Sequence, residues 1–134
     1  MTIAVAVAVI IDNQQRFLIT QRPIHASHGG CWEFPGGKLE ENETSELALI
    51  REIKEEVNID VHQYQLLGEV NHQYPDKAVT LIIFLVTHFS GEPMCKENQL
   101  GMKWVNLQEL NPQNFPAANQ EIIAMIHHHF SEGF

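Results

Sequence analysis

The sequence predicts an α+β fold, a mixed sheet sandwiched by helices. The order of its patterns is strands, helix, strands, helix, without strict βαβ alternation. Its 134 residues are the length of one ordinary domain, so 1–134 reads as a single unit. With 44% apolar, 8% aromatic and 19% charged residues, the chain has apolar surface enough for a core and lacks the composition of a disordered one.

Residues 3–11 are apolar on both parities and rich in Val and Ile, the pattern of a strand covered on both faces. Asp12-Asn13-Gln14-Gln15 is a polar turn, and Phe17–Gln21 is expected to pair back across it as a hairpin. Residues 23–30, rich in Gly, His and Ser, read as a loop leading to a short segment 31–34 that Pro35-Gly36-Gly37 ends. Residues 44–57 form the first helix, with Leu47, Ile50, Ile53 and Val57 at helical spacing and Asn42 or Thr44 as its N-cap. Residues 66–74 and 79–88 are two strands joined at Pro75-Asp76-Lys77; 102–105 is another strand, and 119–129 a second amphipathic helix.

Seventeen acidic residues against eight Lys and Arg give a net charge of -9, which repels a long nucleic-acid backbone. Free nucleotides stay compatible with that field if a divalent cation bridges acid to phosphate. Cys31 and Cys95 have neither metal-ligand spacing nor the density of a disulfide scaffold, so reduced thiols are expected. The apolar start lacks the basic flank of a signal peptide, and no run approaches the ~20 apolar residues of a membrane span. A soluble, cytoplasmic protein is the expectation. His127, His128 and His129 are consecutive on a helix and point in different directions, which favours a solvated helix end over a metal site.

The richest chemistry lies in residues 37–59, GKLEENETSELALIREIKEEVNI. Glu52, Glu55 and Glu56 stand at i, i+3 and i+4 and share one helix face, with Ile50, Ile53 and Val57 expected opposite as anchors to the core. Like charges at that spacing repel, and anions near a helix C-terminus oppose its dipole. A bound cation removes both penalties, and oxygen-only ligands favour a hard ion, magnesium or manganese. Taken alone, the stretch also reads as an ordinary solvated acidic face.

The spacing of Gly37, Glu43, Arg51-Glu52, Glu55-Glu56 and the aliphatic Ile59 resembles the Nudix box, at 37–59. One position departs: Asn58 stands where the family expects Gly, at a helix end where Asn is the next most tolerant residue of a left-handed backbone. The resemblance implies an α/β/α sandwich with a mixed, curved central sheet and a magnesium-dependent hydrolase in which manganese can substitute. It implies that Glu52, Glu55, Glu56 and the Gly36 carbonyl hold the metal on a triphosphate while a water attacks phosphorus. Arg51 is then expected to brace the glutamates. Glu52 is the first choice of general base; Glu97 resembles an additional acidic ligand and is the alternative base.

Outside the box, the chain resembles the MutT-type 8-oxo-dGTP diphosphatases along nearly its whole length. The residues concerned are Ile19-Thr20 with Arg22, Glu33-Phe34-Pro35-Gly36-Gly37, Tyr74-Pro75-Asp76, Gly91-Glu92-Pro93, Lys96-Glu97 and Phe115-Pro116 leading to Asn119. The resemblance implies release of pyrophosphate from 8-oxo-dGTP by a monomer, with Arg22, Ser27, His28, Glu33, Phe34, Gly36, Tyr74 and Asn119 contacting substrate. Ser27, beside His28, and Tyr74 depart from the subfamily's His and Phe. Asn119 has its own physical case. Oxidation at C8 turns guanine N7 into a donor, and a side-chain amide offers a carbonyl to that N–H and an NH₂ to O6. Asn119 reads equally as the N-cap of the last helix. Competing functions are a Nudix hydrolase for an unmodified triphosphate, a pterin triphosphate or a nucleotide sugar, and a non-catalytic Nudix-like binding module.

Overall fold

β1 (Thr2–Ile10) organises the chain, which the computed structural model describes over residues 2–26 and 28–131. The further strands are β2 (Phe17–Gln21), β3 (Trp32–Glu33), β4 (Gly36–Lys38), β5 (Asp60–Gln73), β6 (Ala78–Ser90) and β7 (Gly101–Val105). Two helices, α1 (Ser45–Val57) and α2 (Ala117–Ser131), complete the main elements, with single 3-10 turns at Leu107–Glu109 and Pro112–Asn114. One sheet has the order β4-β1-β6-β5 and is mixed, because β1 and β6 run parallel from Thr2↔Ala78 to Ile10↔Val86 while the other pairs are antiparallel. A second, antiparallel sheet has the order β3-β2-β7.

The alternation of β1 divides the core. Val7, Val9 and Ile11 join the cluster that includes Ile122 and Ile126 of α2. Ala6, Ala8 and Ile10 join the cluster with Leu49, Ile53 and Val57 of α1. A strand apolar on both parities is therefore covered by a helix layer on each side, as its composition requires. Each fully buried Leu or Ile in these layers contributes about 1.5–3 kcal/mol by leaving water.

The expected hairpin of β1 and β2 does not form beyond one bridge, Ile11↔Phe17. β6 takes one edge of β1 along its length and β4 the other at Val5–Val7, while past the turn Phe17–Gln21 pairs with β3 and β7 in the second sheet instead. Asp12 still shapes that turn: its Oδ1 accepts from Gln14 N (2.9 Å) and Arg16 N (2.8 Å). The short segment before Pro35 ends as expected, at Glu33, but Gly36–Lys38 is itself a strand that the sequence does not announce, paired with Val5, Ala6 and Val7. Glycine is a poor strand signal, and here it serves close approach: a Cβ on Gly36 would collide with the Ala6 carbonyl. β5 starts six residues before the expected 66, because bulges at 61–64 and 66–68 break the alternation that marks a strand.

In α1, Thr44 is the N-cap, its Oγ1 accepting from Leu47 N at 3.2 Å, and Asn58 ends the helix in the left-handed region with φ 64°. The expected core stripe is rotated. Leu47 and Ile50 are 58% and 38% exposed, whereas Ala48, Leu49, Ile53 and Val57 are fully buried. Glu56 lies inside that buried stripe at 8% exposure while Glu55 beside it is exposed, so the acidic face straddles the edge of the buried surface. α2 begins two residues earlier than expected, which makes Asn119 its third residue and not its cap. His127, His128 and His129 are all exposed. Among the described residues no helix is long and apolar enough to cross a membrane.

Candidate metal and substrate site

Gly36 and Gly37 make room for the carboxylates of α1. The amide of Gly36 donates to Glu56 Oε2 at 3.1 Å, and a Cβ on Gly37 would collide with the Glu52 carboxylate. Glu52, Glu55 and Glu97 each bring a carboxylate oxygen to within 4.8 Å of the other two. Glu97 comes from the loop between β6 and β7, 41 residues beyond Glu56 in sequence.

Arg51 gathers the acids along α1. Its guanidinium takes Glu43 in a bidentate grip, Nε to Oε2 and Nη2 to Oε1, each 2.8 Å. Nη1 donates to Glu52 Oε1 (2.8 Å) and Glu55 Oε2 (3.2 Å), while Nη2 also reaches the Lys38 carbonyl (3.2 Å). That grip holds the Glu43 carboxyl down at about 2. A planar fork is what such multiple carboxylate contacts require, and lysine offers none.

The other carboxyls are pushed the opposite way. Burial, and then the charge of Glu33, raise Glu56 to about 8 against the opposing Gly36 N–H, with Glu97 and Glu52 adding to the rise. Burial also raises Glu52, against the hydrogen bond from Arg51. Glu33 is raised by burial against Arg22, whose Nη1 meets its Oε1 at 2.9 Å. Crowded acids that resist ionisation carry an electrostatic cost that a divalent cation relieves. The donor set fits such an ion: it is all oxygen, with Glu52, Glu55 and Glu97 converging and Glu56 adjacent on the same helix.

A cleft of about 450 Å³ is lined by Arg22, His28, Glu33, Tyr74 and Asn119, together with Asp76, Lys77 and Leu81. That volume is in the range of small-molecule sites. Ser27 lies outside the described residues. Phe34 does not line this cleft: its ring is buried and stacks on Phe115 with centroids 5.5 Å apart at 19°. Its backbone N–H instead faces Asn119 Oδ1, at 3.5 Å. The structure thus gathers five of the expected substrate residues around one cleft and assigns Phe34's ring to the core. Asp76, part of the Tyr74-Pro75-Asp76 resemblance, and Lys77, expected only in the turn, also line the cleft without having been expected to contact substrate. Their signal was the turn's position, since the β5–β6 connection overhangs the cleft and Lys77 Nζ sits 5.7 Å from the Tyr74 ring centroid.

Carboxylates converging on one point, with a cleft of small-molecule size elsewhere on the same domain, fit a metal-dependent hydrolase of phosphate compounds. Residues 6–125 match the NUDIX domain family. The chain belongs to that family and is a Nudix hydrolase, divalent-metal dependent as the family is. It is 39% identical over 122 residues to an 8-oxo-dGTP diphosphatase of Escherichia coli (strain K12), covering 91% of this chain and 94% of that one. It is 52% identical over 88 residues to an 8-oxo-dGTP diphosphatase of Proteus vulgaris, covering 66% and 79%. A MutT NUDIX hydrolase from Burkholderia pseudomallei superposes with a TM-score of 0.85 at 29% identity, covering 94% of this chain and 98% of that one.

Proposed function

We propose that this chain hydrolyses 8-oxo-dGTP to 8-oxo-dGMP and pyrophosphate with magnesium as its resident cation and manganese as a working substitute. The observation that carries the substrate is Asn119. Its amide stands on the cleft wall within the first turn of α2 and is not spent on capping that helix. An amide there accepts from the N7–H of an oxidised guanine and donates to O6, whereas ordinary guanine sets acceptor against acceptor. The curated relatives named for this reaction support the same choice.

Glu52, Glu55, Glu56 and Glu97, with the Gly36 carbonyl, are the groups we assign to the cation. When bound, the cation neutralises developing charge on the triphosphate. Arg51 keeps Glu52 and Glu55 oriented, and Arg22, held by Glu33, presents a fixed cation at the cleft. Glu52, half-buried and oriented by the Arg51 guanidinium, is the preferred general base; Glu97 is the alternative. A panel of nucleoside triphosphates with magnesium tests the proposal. Pyrophosphate and the monophosphate are the expected products, and release of orthophosphate and a diphosphate would contradict it.

A further inference from the structure

Residues 91–100 join β6 to β7 without regular structure, yet Glu97 in this stretch brings its carboxylate beside those of Glu52 and Glu55. Like charges at such separations repel, so an unanchored loop would carry Glu97 away. The loop is anchored on the C-terminal end of α1, where carbonyls lack intrahelical partners. Asn58 Nδ2 donates to the Glu92 carbonyl (3.2 Å), Met94 N to Val57 O (3.0 Å) and Lys96 N to Glu56 O (3.1 Å). Gln99 makes the contact nearest to Glu97. Its Oε1 accepts from the Glu97 N–H at 2.8 Å, and its Nε2 donates to the Glu56 carbonyl at 2.9 Å. Asn98 between them is left-handed, φ 63°, which turns the chain so that the Gln99 side chain folds back on Glu97.

We propose that Gln99 is a positioning residue of the metal site: its amide clamps Glu97 to the end of the acidic helix and so sets the placement of a carboxylate supplied from outside that helix. It touches the backbone of two carboxylate-bearing residues and needs no contact with substrate. Both functions of the amide are used, so an isosteric apolar side chain removes both bonds and little bulk. The inference rests on reading Glu97 as a metal-binding carboxylate. Outer partners of metal ligands are worth about 10–100-fold in affinity or activity, and an exposed loop puts Gln99 at the tenfold end.

The test is a double-mutant cycle on the full chain with Glu97→Gln, Gln99→Met and the pair together. Manganese binding is read from the EPR signal of the free ion, kcat and KM from pyrophosphate release with 8-oxo-dGTP and magnesium, and folding from melting midpoints. Gln99→Met is expected to weaken manganese binding and lower kcat by about tenfold, with KM for the nucleotide within about twofold. In the Glu97→Gln background the same change is expected to do almost nothing. Equal losses in both backgrounds, or no loss in either while Glu97→Gln is impaired, would overturn the positioning role. If Glu97→Gln leaves manganese binding and turnover intact, the reading of Glu97 falls and the clamp with it. Gln99→Ala must repeat the result, and failure of both Gln99 variants to fold would mark the residue as structural instead.

Discussion

Asn119 decides between a general nucleotide hydrolase and one that reads an oxidised base. Because it sits inside α2 and not at its cap, Asn119→Ala is expected to leave the melting midpoint nearly unchanged. The same variant should lower kcat/KM for 8-oxo-dGTP more than for dGTP, by a differential of about 1–3 kcal/mol, the cost of leaving a buried polar group unpaired. Equal losses on both nucleotides would remove the recognition role. Glu56 carries a pH signature. An ordinary glutamate titrates near 4.5, while this one, buried beside other acids, is held at about 8 without metal. Between those values the folded chain keeps a proton that the unfolded chain has lost. That stabilisation is complete below about 4.5 and is lost as pH rises through 8. The metal-free melting midpoint should therefore decline from pH 5 to 8.5, and Glu56→Gln should flatten the decline while reducing turnover strongly. The stabilisation conferred by magnesium should grow over the same range, since metal displaces that proton. A Glu56→Gln midpoint that tracks wild type across these pH values would contradict the assignment.

At the scale of elements, what the sequence makes legible depends on local signals. The cap at Thr44, the left-handed stop at Asn58 and the span of α1 follow from side-chain chemistry within a few residues, and all three are found. The rotation of α1 was hidden because Leu47 and Ile50 match helical spacing, yet it is Ala48 and Leu49 that meet the sheet. Glu56 in the buried stripe looks like a fault in that pattern, and it is one of the carboxylates we assign to the cation. β4 escaped notice because its glycines serve contacts with distant residues, Ala6 and Glu52, that no local pattern announces. Glu97 was legible only through resemblance, and its approach to Glu52 and Glu55 is a product of the fold. Gly37→Ala tests the cradle. The obstructing atom is the far end of a flexible side chain, so the helix should stay while the Glu52 carboxylate moves. A melting midpoint within a few degrees of wild type and turnover reduced at least about tenfold are expected, the latter being a typical effect of disturbing a metal site. Unimpaired turnover would show that Glu52 is not held by this contact.

Across the whole molecule, α1 and α2 divide the labour: one carries the carboxylates, the other brings Asn119 to the cleft, and the sheets hold the two in register. The net charge of -9 makes a free triphosphate an unfavourable ligand for the metal-free protein, so cation and nucleotide should bind with positive coupling. Nucleotide affinity measured by calorimetry should accordingly rise when magnesium is added, and equal affinity with and without it would separate the cleft from the acidic site. The most direct test of the function is to measure kcat/KM for 8-oxo-dGTP and dGTP side by side with magnesium, identifying the phosphorus products. Preference for 8-oxo-dGTP, with pyrophosphate as the product and no turnover once the metal is chelated, is the expected result. A preference for dGTP or another triphosphate, or turnover that survives chelation, would contradict it.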